Sequence, residues 1–236
     1  MSNLYTVEVT NNSGSAGKVY NLFSAKSVIQ GGGNTTDTTK SIVWFRSRKL
    51  TAGGQVSFRF DNSFYGFMGS VSGSSGLGTG CIIDTQTYKK ITLGTQTRDG
   101  TILVLDGDSS FEETNPDDEN PAPGNGQFSI ATSSTLQPYN DVIGVARGKS
   151  LGAGITPAPV NCVPLKAGVT YTFTINSSVY VKAASLTEGS VQPALDGDKE
   201  AIQVKFPAGK KKASVVEDSN GKLTVTYSPG NEYGNE

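Results

Sequence analysis

One short stretch of the chain carries oxygen-bearing side chains at the spacing of a calcium loop. Asp106, Asp108 and Ser110 stand on alternate residues, as the first three ligands of a twelve-residue calcium loop do. The pattern then departs from that loop, because Phe111 replaces the required glycine and Asp117 replaces the closing glutamate. These three residues are therefore the candidate calcium ligands, but a solvated acidic loop without any cofactor is the simpler expectation.

A second candidate site combines aromatic rings with arginines. Trp44, Arg46 and Arg48 lie close together in the sequence, and Tyr65 follows within a turn-like segment at 62–66. Exposed rings and guanidinium groups can stack on sugars, flat organic ligands or bases, so these four residues form the predicted ligand-binding set. Large aromatic side chains are more often buried, so we expect Trp44 to belong to the core and Tyr65 to be exposed.

The chain contains no histidine. This absence removes the usual general base near neutral pH, the Ser-His and Cys-His nucleophile pairs, and the commonest zinc ligand. An enzyme made from this chain would have to use Asp, Glu, Lys, Tyr or Cys, or act by shape alone. The enzyme alternative that we carry forward is a cofactor-independent cyclase or isomerase, which needs only a shaped apolar pocket and a few hydrogen-bond donors.

Charge and hydropathy limit the partners that the chain can have. The formal net charge of -1 creates no overall field that would attract nucleic acid. No stretch has the length and apolarity of a transmembrane segment. The N-terminus lacks the basic and apolar regions of a signal peptide, which predicts an intracellular protein or the mature form of a secreted one. Cys81 and Cys162 could form one disulfide, but free thiols suit the intracellular expectation better.

The elements that would position these residues are short β-strands. The chain is rich in threonine and serine and has 29 glycines and ten prolines, a mixture that suits pleated strands joined by tight turns. Apolar residues alternate with polar ones in most segments, and helical periodicity is nowhere sustained. The predicted strands span residues 4–10, 18–24, 41–48, 55–60, 81–84, 88–93, 101–105, 127–132, 141–146, 160–165, 169–175 and 201–206.

The C-terminal part contains the clearest local prediction, a β-hairpin. Val215 and Val216 precede a polar turn, and Leu223 and Val225 follow it. The dipeptide Asn220-Gly221 in that turn favours a geometry in which both residues have positive φ. Three stretches look irregular, at 30–40, 70–80 and 106–126, and the last is predicted to be one long acidic loop rich in proline and glycine.

These elements together predict an all-β protein with little or no helix. We expect one domain over residues 1–236, built as a twisted two-sheet antiparallel sandwich or jelly roll. The residues Asn11-Asn12-Ser13 and the segment at 19–23 (VYNLF) resemble a pattern in uncharacterised fungal proteins of similar length. That resemblance covers the first quarter of the chain and implies an all-β fold without implying an activity.

Three functions are compatible with these features. The leading hypothesis is a non-catalytic binding protein that takes a small molecule, a glycan or a protein through loops at one end of the sheets. The first alternative is the cyclase or isomerase, which requires a buried pocket of several hundred Å³ lined by aromatic and polar groups. The second alternative is a membrane-active, pore-forming protein, because its Thr- and Ser-rich alternating strands resemble those that line β-barrel pores.

Overall fold

A computed structural model describes residues 4–32, 39–72, 76–117, 120–152 and 154–229. The described residues form eighteen β-strands and no α-helix. None of them belongs to a helix that is long and apolar enough to cross a membrane. In chain order the strands are β1 (Tyr5–Asn11), β2 (Tyr20–Ser24), β3 (Val28–Gln30), β4 (Lys40–Ile42), β5 (Phe45–Arg46), β6 (Gln55–Val71), β7 (Ile83–Ile91), β8 (Ile102–Leu105), β9 (Phe111–Thr114), β10 (Gln127–Thr132), β11 (Asp141–Leu151), β12 (Gly154–Pro164), β13 (Thr170–Thr174), β14 (Val179–Ala183), β15 (Val191–Gln192), β16 (Ala201–Val204), β17 (Lys210–Glu217) and β18 (Leu223–Pro229).

The strands are arranged in three sheets. A nine-stranded sheet has the order β15-β4-β12-β11-β6-β1-β17-β18, with β7 paired to the second half of β6. A five-stranded sheet has the order β3-β13-β10-β8-β9, and a four-stranded sheet has the order β16-β14-β2-β5. Most pairings are antiparallel, but β1 pairs with β17 and β8 with β10 in parallel. The predicted all-β, sandwich-like class is confirmed. The prediction had two sheets in all, whereas the structure has one large sheet and two small ones.

The two small sheets pack against the same face of the nine-stranded sheet. A Cβ atom on Gly66 of β6 would lie 2.8 Å from Leu103 Cδ1 in the five-stranded sheet, which shows how closely the two sheets approach at this glycine. Next to the four-stranded sheet, the ring of Phe60 in β6 lies 4.8 Å from that of Trp44, which precedes β5. The main hydrophobic core lies between these layers and draws residues from all three sheets.

The opposite face of the nine-stranded sheet carries a second, smaller hydrophobic cluster. Phe67 and Cys162 are fully buried in it, and Leu77 and Cys81 from the segment before β7 pack against it. The central strands are therefore covered on both faces, which explains why β11 is buried along most of its length. Neither cysteine is bridged, which confirms the expectation of free thiols.

The long strand β6 differs from the prediction. The segment at 62–66 was expected to be a turn, but it lies inside a strand of 17 residues. The pairing with β11 shifts there, since Arg147 faces Phe64 while Lys149 faces Phe60. The residues between Phe60 and Phe64 form a bulge, in which the Asp61 carboxylate accepts hydrogen bonds from the backbone N–H of Ser63 at 3.0 Å and its hydroxyl at 2.8 Å.

The acidic segment at 106–126 also differs from the prediction of one long loop. It contains the strand β9, which pairs with β8 and buries Phe111. The polar turn between the two strands includes Ser109 in a left-handed conformation with a φ of 60°. Residues 118 and 119 lie outside the described residues, and the rest of the segment runs without a further named strand to β10.

The C-terminal hairpin is confirmed as β17 and β18. Its turn geometry differs from the one that Asn-Gly predicts, because only Gly221 has a positive φ, at 77°. The backbone N–H of Gly221 donates to the carbonyl of Asp218, and the Asp218 side chain accepts from the N–H groups of Asn220 and Lys222. The side chain of Asp218 therefore organises a longer turn that ends on one left-handed glycine.

Candidate functional site

A buried arginine forms the centre of the candidate site. Arg147 lies on β11 opposite the bulge of β6, and only 1% of its surface is exposed. Its side chain points into the core side of the sheet, where the central carbon of the guanidinium (Cζ) lies 4.9 Å from the ring centre of Trp44, 5.0 Å from Phe64 and 5.1 Å from Phe60. Three aromatic rings thus surround this cation at distances typical of cation–π contacts.

The hydrogen bonds of Arg147 are few for a buried guanidinium. Nη1 donates to the hydroxyl of Ser24 at 3.2 Å and, at the limit of hydrogen bonding, to the carbonyl of Ser177 at 3.5 Å. The Nε–H is buried and has no hydrogen-bond partner in the described part of the chain. The indole N–H of Trp44 is also buried without a partner. Buried donors are usually bonded, so two orphans at neighbouring side chains call for an explanation.

No carboxylate among the described residues lies within ion-pair distance of Arg147. Burial lowers the pKa of Arg147 from its ordinary value to about 10, while the negative charge of Asp61 acts in the opposite direction. Asp61 approaches the adjacent backbone closely, because a Cβ on Gly148 would lie 2.0 Å from its Oδ1 atom. Arg147 therefore stays protonated at neutral pH, in a weakly negative field but without a direct counter-ion.

A cavity of about 80 Å³ lies beside the guanidinium. Arg147 and the buried ring of Phe60 lie at its inner end, and the exposed residues Asn62 and Ser177 lie at its mouth. The half-buried rings of Tyr5 and Phe206, 4.9 Å apart, complete the wall. The bulge of β6, the first residue of β1 and the loop before β14 thus bring polar and aromatic groups together around one buried cation.

The neighbouring cation on the same strand has a counter-ion. Lys149, two residues along β11, is also buried, but its ammonium forms an ion pair with the carboxylate of Glu188. Its Nζ atom also donates to the carbonyl of Trp44 at 3.3 Å and lies 4.5 Å from the ring centre of Phe45. Lys149 is therefore neutralised by the protein itself, whereas Arg147 is not.

The ligand-binding residues predicted from the sequence are not brought to one place. Trp44 is buried in the main core, as expected, and contributes a wall to the Arg147 environment. Arg46 and Arg48 are exposed. Tyr65 is half-buried rather than exposed and packs with the cluster on the opposite face of the nine-stranded sheet, where its ring meets that of Tyr88 edge-on at 6.0 Å.

The candidate calcium ligands are used by the turn between β8 and β9. The Asp106 carboxylate accepts hydrogen bonds from the backbone N–H of Asp108 at 3.0 Å and from the N–H and hydroxyl of Ser110 at 3.1 Å. The backbone hydrogen bond from Ser110 is the main cause that lowers the pKa of Asp106. Among the described residues, no three acidic or cysteine side chains lie close enough together to hold a metal ion.

Sequence reasoning missed Arg147 because the predicted strand ended at Ala146. The available signal was the alternation that continues past that point, since Val145, Arg147 and Lys149 occupy every second position of one strand. Charged residues at inward positions of a strand are uncommon, so where the strand continues through them they mark buried cations that need partners.

The fold and the site define an all-β, sandwich-like protein with a cavity that ends on a buried arginine. A family model described as RhiA matches residues 2–228, so the chain belongs to the RhiA family. No curated protein matches the chain. The matched segment covers nearly the whole chain and includes every residue of the candidate site.

Proposed function

We propose that this chain is a non-catalytic binding protein that holds a small ligand in the cavity at Arg147. The observation that carries the proposal is a buried guanidinium that has no counter-ion in the described part of the chain and borders on open space. Buried charges are normally paired, because leaving a charge without a partner in a low-dielectric interior costs several kcal/mol. A ligand that supplies the missing partner would account for Arg147, its orphan Nε–H and the cavity together.

The chemistry of the cavity favours binding over catalysis. Arginine remains protonated at neutral pH and is therefore a binding group and a poor general base. The cavity has the aromatic walls and polar groups that the cyclase hypothesis requires, but its volume of about 80 Å³ is well below the several hundred Å³ of a typical substrate pocket. The binding hypothesis is therefore the one that we retain, and the pore-forming alternative stays a prediction.

Two-dimensional NMR of the uniformly ¹⁵N-labelled protein would test the proposal. Small anionic, neutral and glycan ligands would be added at millimolar concentration, because fragments that fit a cavity of this size bind weakly. We expect at least one class to shift the amide signals of Tyr5, Asn62 and Ser177, which line the cavity. Signals that stay unchanged with every class would contradict a binding function at this site.

A matched pair of variants separates this cavity from the surface arginines. Arg147→Met removes the buried cation, and Arg46→Met removes an exposed one from the set predicted by sequence. We expect the first variant to lose the ligand-dependent shifts and the second to keep them. The reverse result would move the binding site to the exposed face around Arg46.

A further inference from the structure

We infer that the Arg147 cavity binds the carboxylate group of a small, singly charged organic acid, with Arg147 as its counter-ion. This inference rests on the proposed binding function and names its ligand class. It depends on three features of the cavity: the hydrogen-bond donors that the guanidinium leaves free, the charges around it, and the size and walls of the space.

The hydrogen-bonding capacity of Arg147 is only partly used. The surrounding rings of Trp44, Phe60 and Phe64 cannot accept its in-plane hydrogen bonds as an oxygen would, and Nη1 is engaged by Ser24 and Ser177. Nε is buried and has no partner among the described residues. A planar carboxylate is the anion whose two oxygens match the donor geometry of a guanidinium.

The charges around the cavity favour one negative charge over two. Arg147 is the cation at its inner end, and the negative charge of Asp61 lies close enough to act on the pKa of Arg147. A monoanion would neutralise the guanidinium, whereas the second charge of a phosphate dianion would meet the field of Asp61 without a partner. The chemistry therefore points to a carboxylate more than to a phosphate ester.

The size of the cavity limits the rest of the ligand. A cavity of about 80 Å³ has room for roughly five water molecules, at about 15 Å³ each. Most of the cavity surface is polar, and the rings of Tyr5, Phe60 and Phe206 provide a smaller apolar part against which a short apolar group would pack. Acids of about five or six non-hydrogen atoms, such as propanoate and pyruvate, match this space, and a larger acid could extend past Asn62 and Ser177 into solvent.

Isothermal titration calorimetry and NMR would test the ligand class with three probes of similar size. Propanoate carries the proposed group, propanamide replaces it with an uncharged group of the same shape, and inorganic phosphate supplies a different anion. We expect propanoate to bind at least about tenfold more tightly than either of the others, since one charge-assisted hydrogen bond corresponds to about a tenfold change in affinity.

Arg147→Lys keeps the positive charge but loses the paired donors, and we expect it to weaken propanoate binding about tenfold or more. Asn62→Phe is an independent test that leaves the buried cation in place, because Asn62 is exposed at the mouth and a large ring there would close the cavity. Asn12→Phe places the same ring at another exposed asparagine and should leave binding unchanged.

The possible results separate the two proposals. If propanamide or phosphate shifts the signals around the cavity as strongly as propanoate does, the carboxylate inference is wrong and the binding function stands. The same conclusion follows if Arg147→Lys binds propanoate like the wild-type protein while Asn62→Phe does not. If the whole wider panel, these probes included, leaves the cavity signals unchanged, both proposals are wrong.

Discussion

Arg147 and Lys149 occupy the same face of one strand, two residues apart, yet among the described residues only Lys149 has a counter-ion. Lys149 has an ion pair with Glu188 and a backbone carbonyl within hydrogen-bond distance. Arg147 has aromatic rings, two weak or moderate hydrogen bonds and a cavity. The same sheet thus brings a carboxylate to one buried cation, whereas no described residue supplies one to Arg147, and this difference is what the proposed ligand would explain.

The third buried charge follows the pattern of Lys149. Among the described residues, the buried charged side chains are Arg147, Lys149 and Glu217. Glu217, at the end of β17, accepts hydrogen bonds from the hydroxyl of Tyr20 and from the ammonium of Lys18. These contacts join the C-terminal hairpin to the strand β2 of the four-stranded sheet. Two of the three buried charges thus form ion pairs between distant parts of the chain, whereas Arg147 forms none with the described residues.

We expect the largest stability effect from Glu217→Ala, about 3 kcal/mol of the free energy of unfolding. The substitution leaves the buried hydroxyl of Tyr20 without its acceptor and opens a small void beside it. Urea denaturation followed by tryptophan fluorescence would measure the loss. The conservative variant Glu217→Gln keeps an acceptor for Tyr20 and should lose less, so equal losses in the two variants would show that the hydrogen bond to Tyr20 is unimportant.

Glu188→Gln should give the next largest effect, a loss of about 2 kcal/mol in the free energy of unfolding, because it leaves the buried ammonium of Lys149 without its counter-ion. The reverse change, Lys149→Met, leaves a carboxylate that is 47% exposed and can be hydrated, so it should cost only about 1 kcal/mol. The same denaturation experiment compares the two variants. A larger loss for Lys149→Met would mean that packing of the lysine stem on Phe45 outweighs the ion pair.

Arg147→Met should change the free energy of unfolding by less than about 1 kcal/mol, or raise it. The substitution removes a buried charge that no described residue neutralises and replaces it with an apolar side chain of similar volume. This behaviour is opposite to that of Glu188→Gln and is what a residue kept for binding should show. A loss of several kcal/mol, comparable to that of Glu217→Ala, would instead assign Arg147 a structural role.

The sequence predicts the strands of this fold better than it predicts their length and partners. Alternation identifies β10 with its observed bounds, at 127–132, because one face of that strand lies in the core and the other is more polar. It breaks β6 at 62–66, because a bulge with Asp61 and Ser63 has the composition of a turn while the pairing continues through it. Local composition reports local geometry, whereas continuation of a sheet depends on neighbours that are distant in the sequence.

The candidate site could be predicted only in part, for the same reason. The importance of Trp44 follows from the sequence, since a single tryptophan beside aromatic and basic residues marks a centre of packing. Its actual cation is Arg147, about a hundred residues away in sequence, and not the adjacent Arg46. Such a pairing requires β11 and the segment between β4 and β5 to meet across the core, which alternation within each segment cannot show.

The smallest effect is expected from pH, and it tests whether Arg147 or a more easily titrated group recognises the ligand. Because the pKa of Arg147 is lowered to about 10, roughly nine-tenths of the side chain is still protonated at pH 9, and propanoate affinity should change less than about twofold between pH 6 and 9. Above pH 10 the affinity should fall as the cation is lost. The unfolded chain holds this proton to a higher pH, because an exposed arginine keeps its ordinary, higher pKa. The same deprotonation therefore makes the contribution of Arg147 to folding stability rise as the pH passes above about 10. Calorimetric titrations across this range would measure the affinity, and a fall that is already complete by pH 8 would assign recognition to a group other than Arg147.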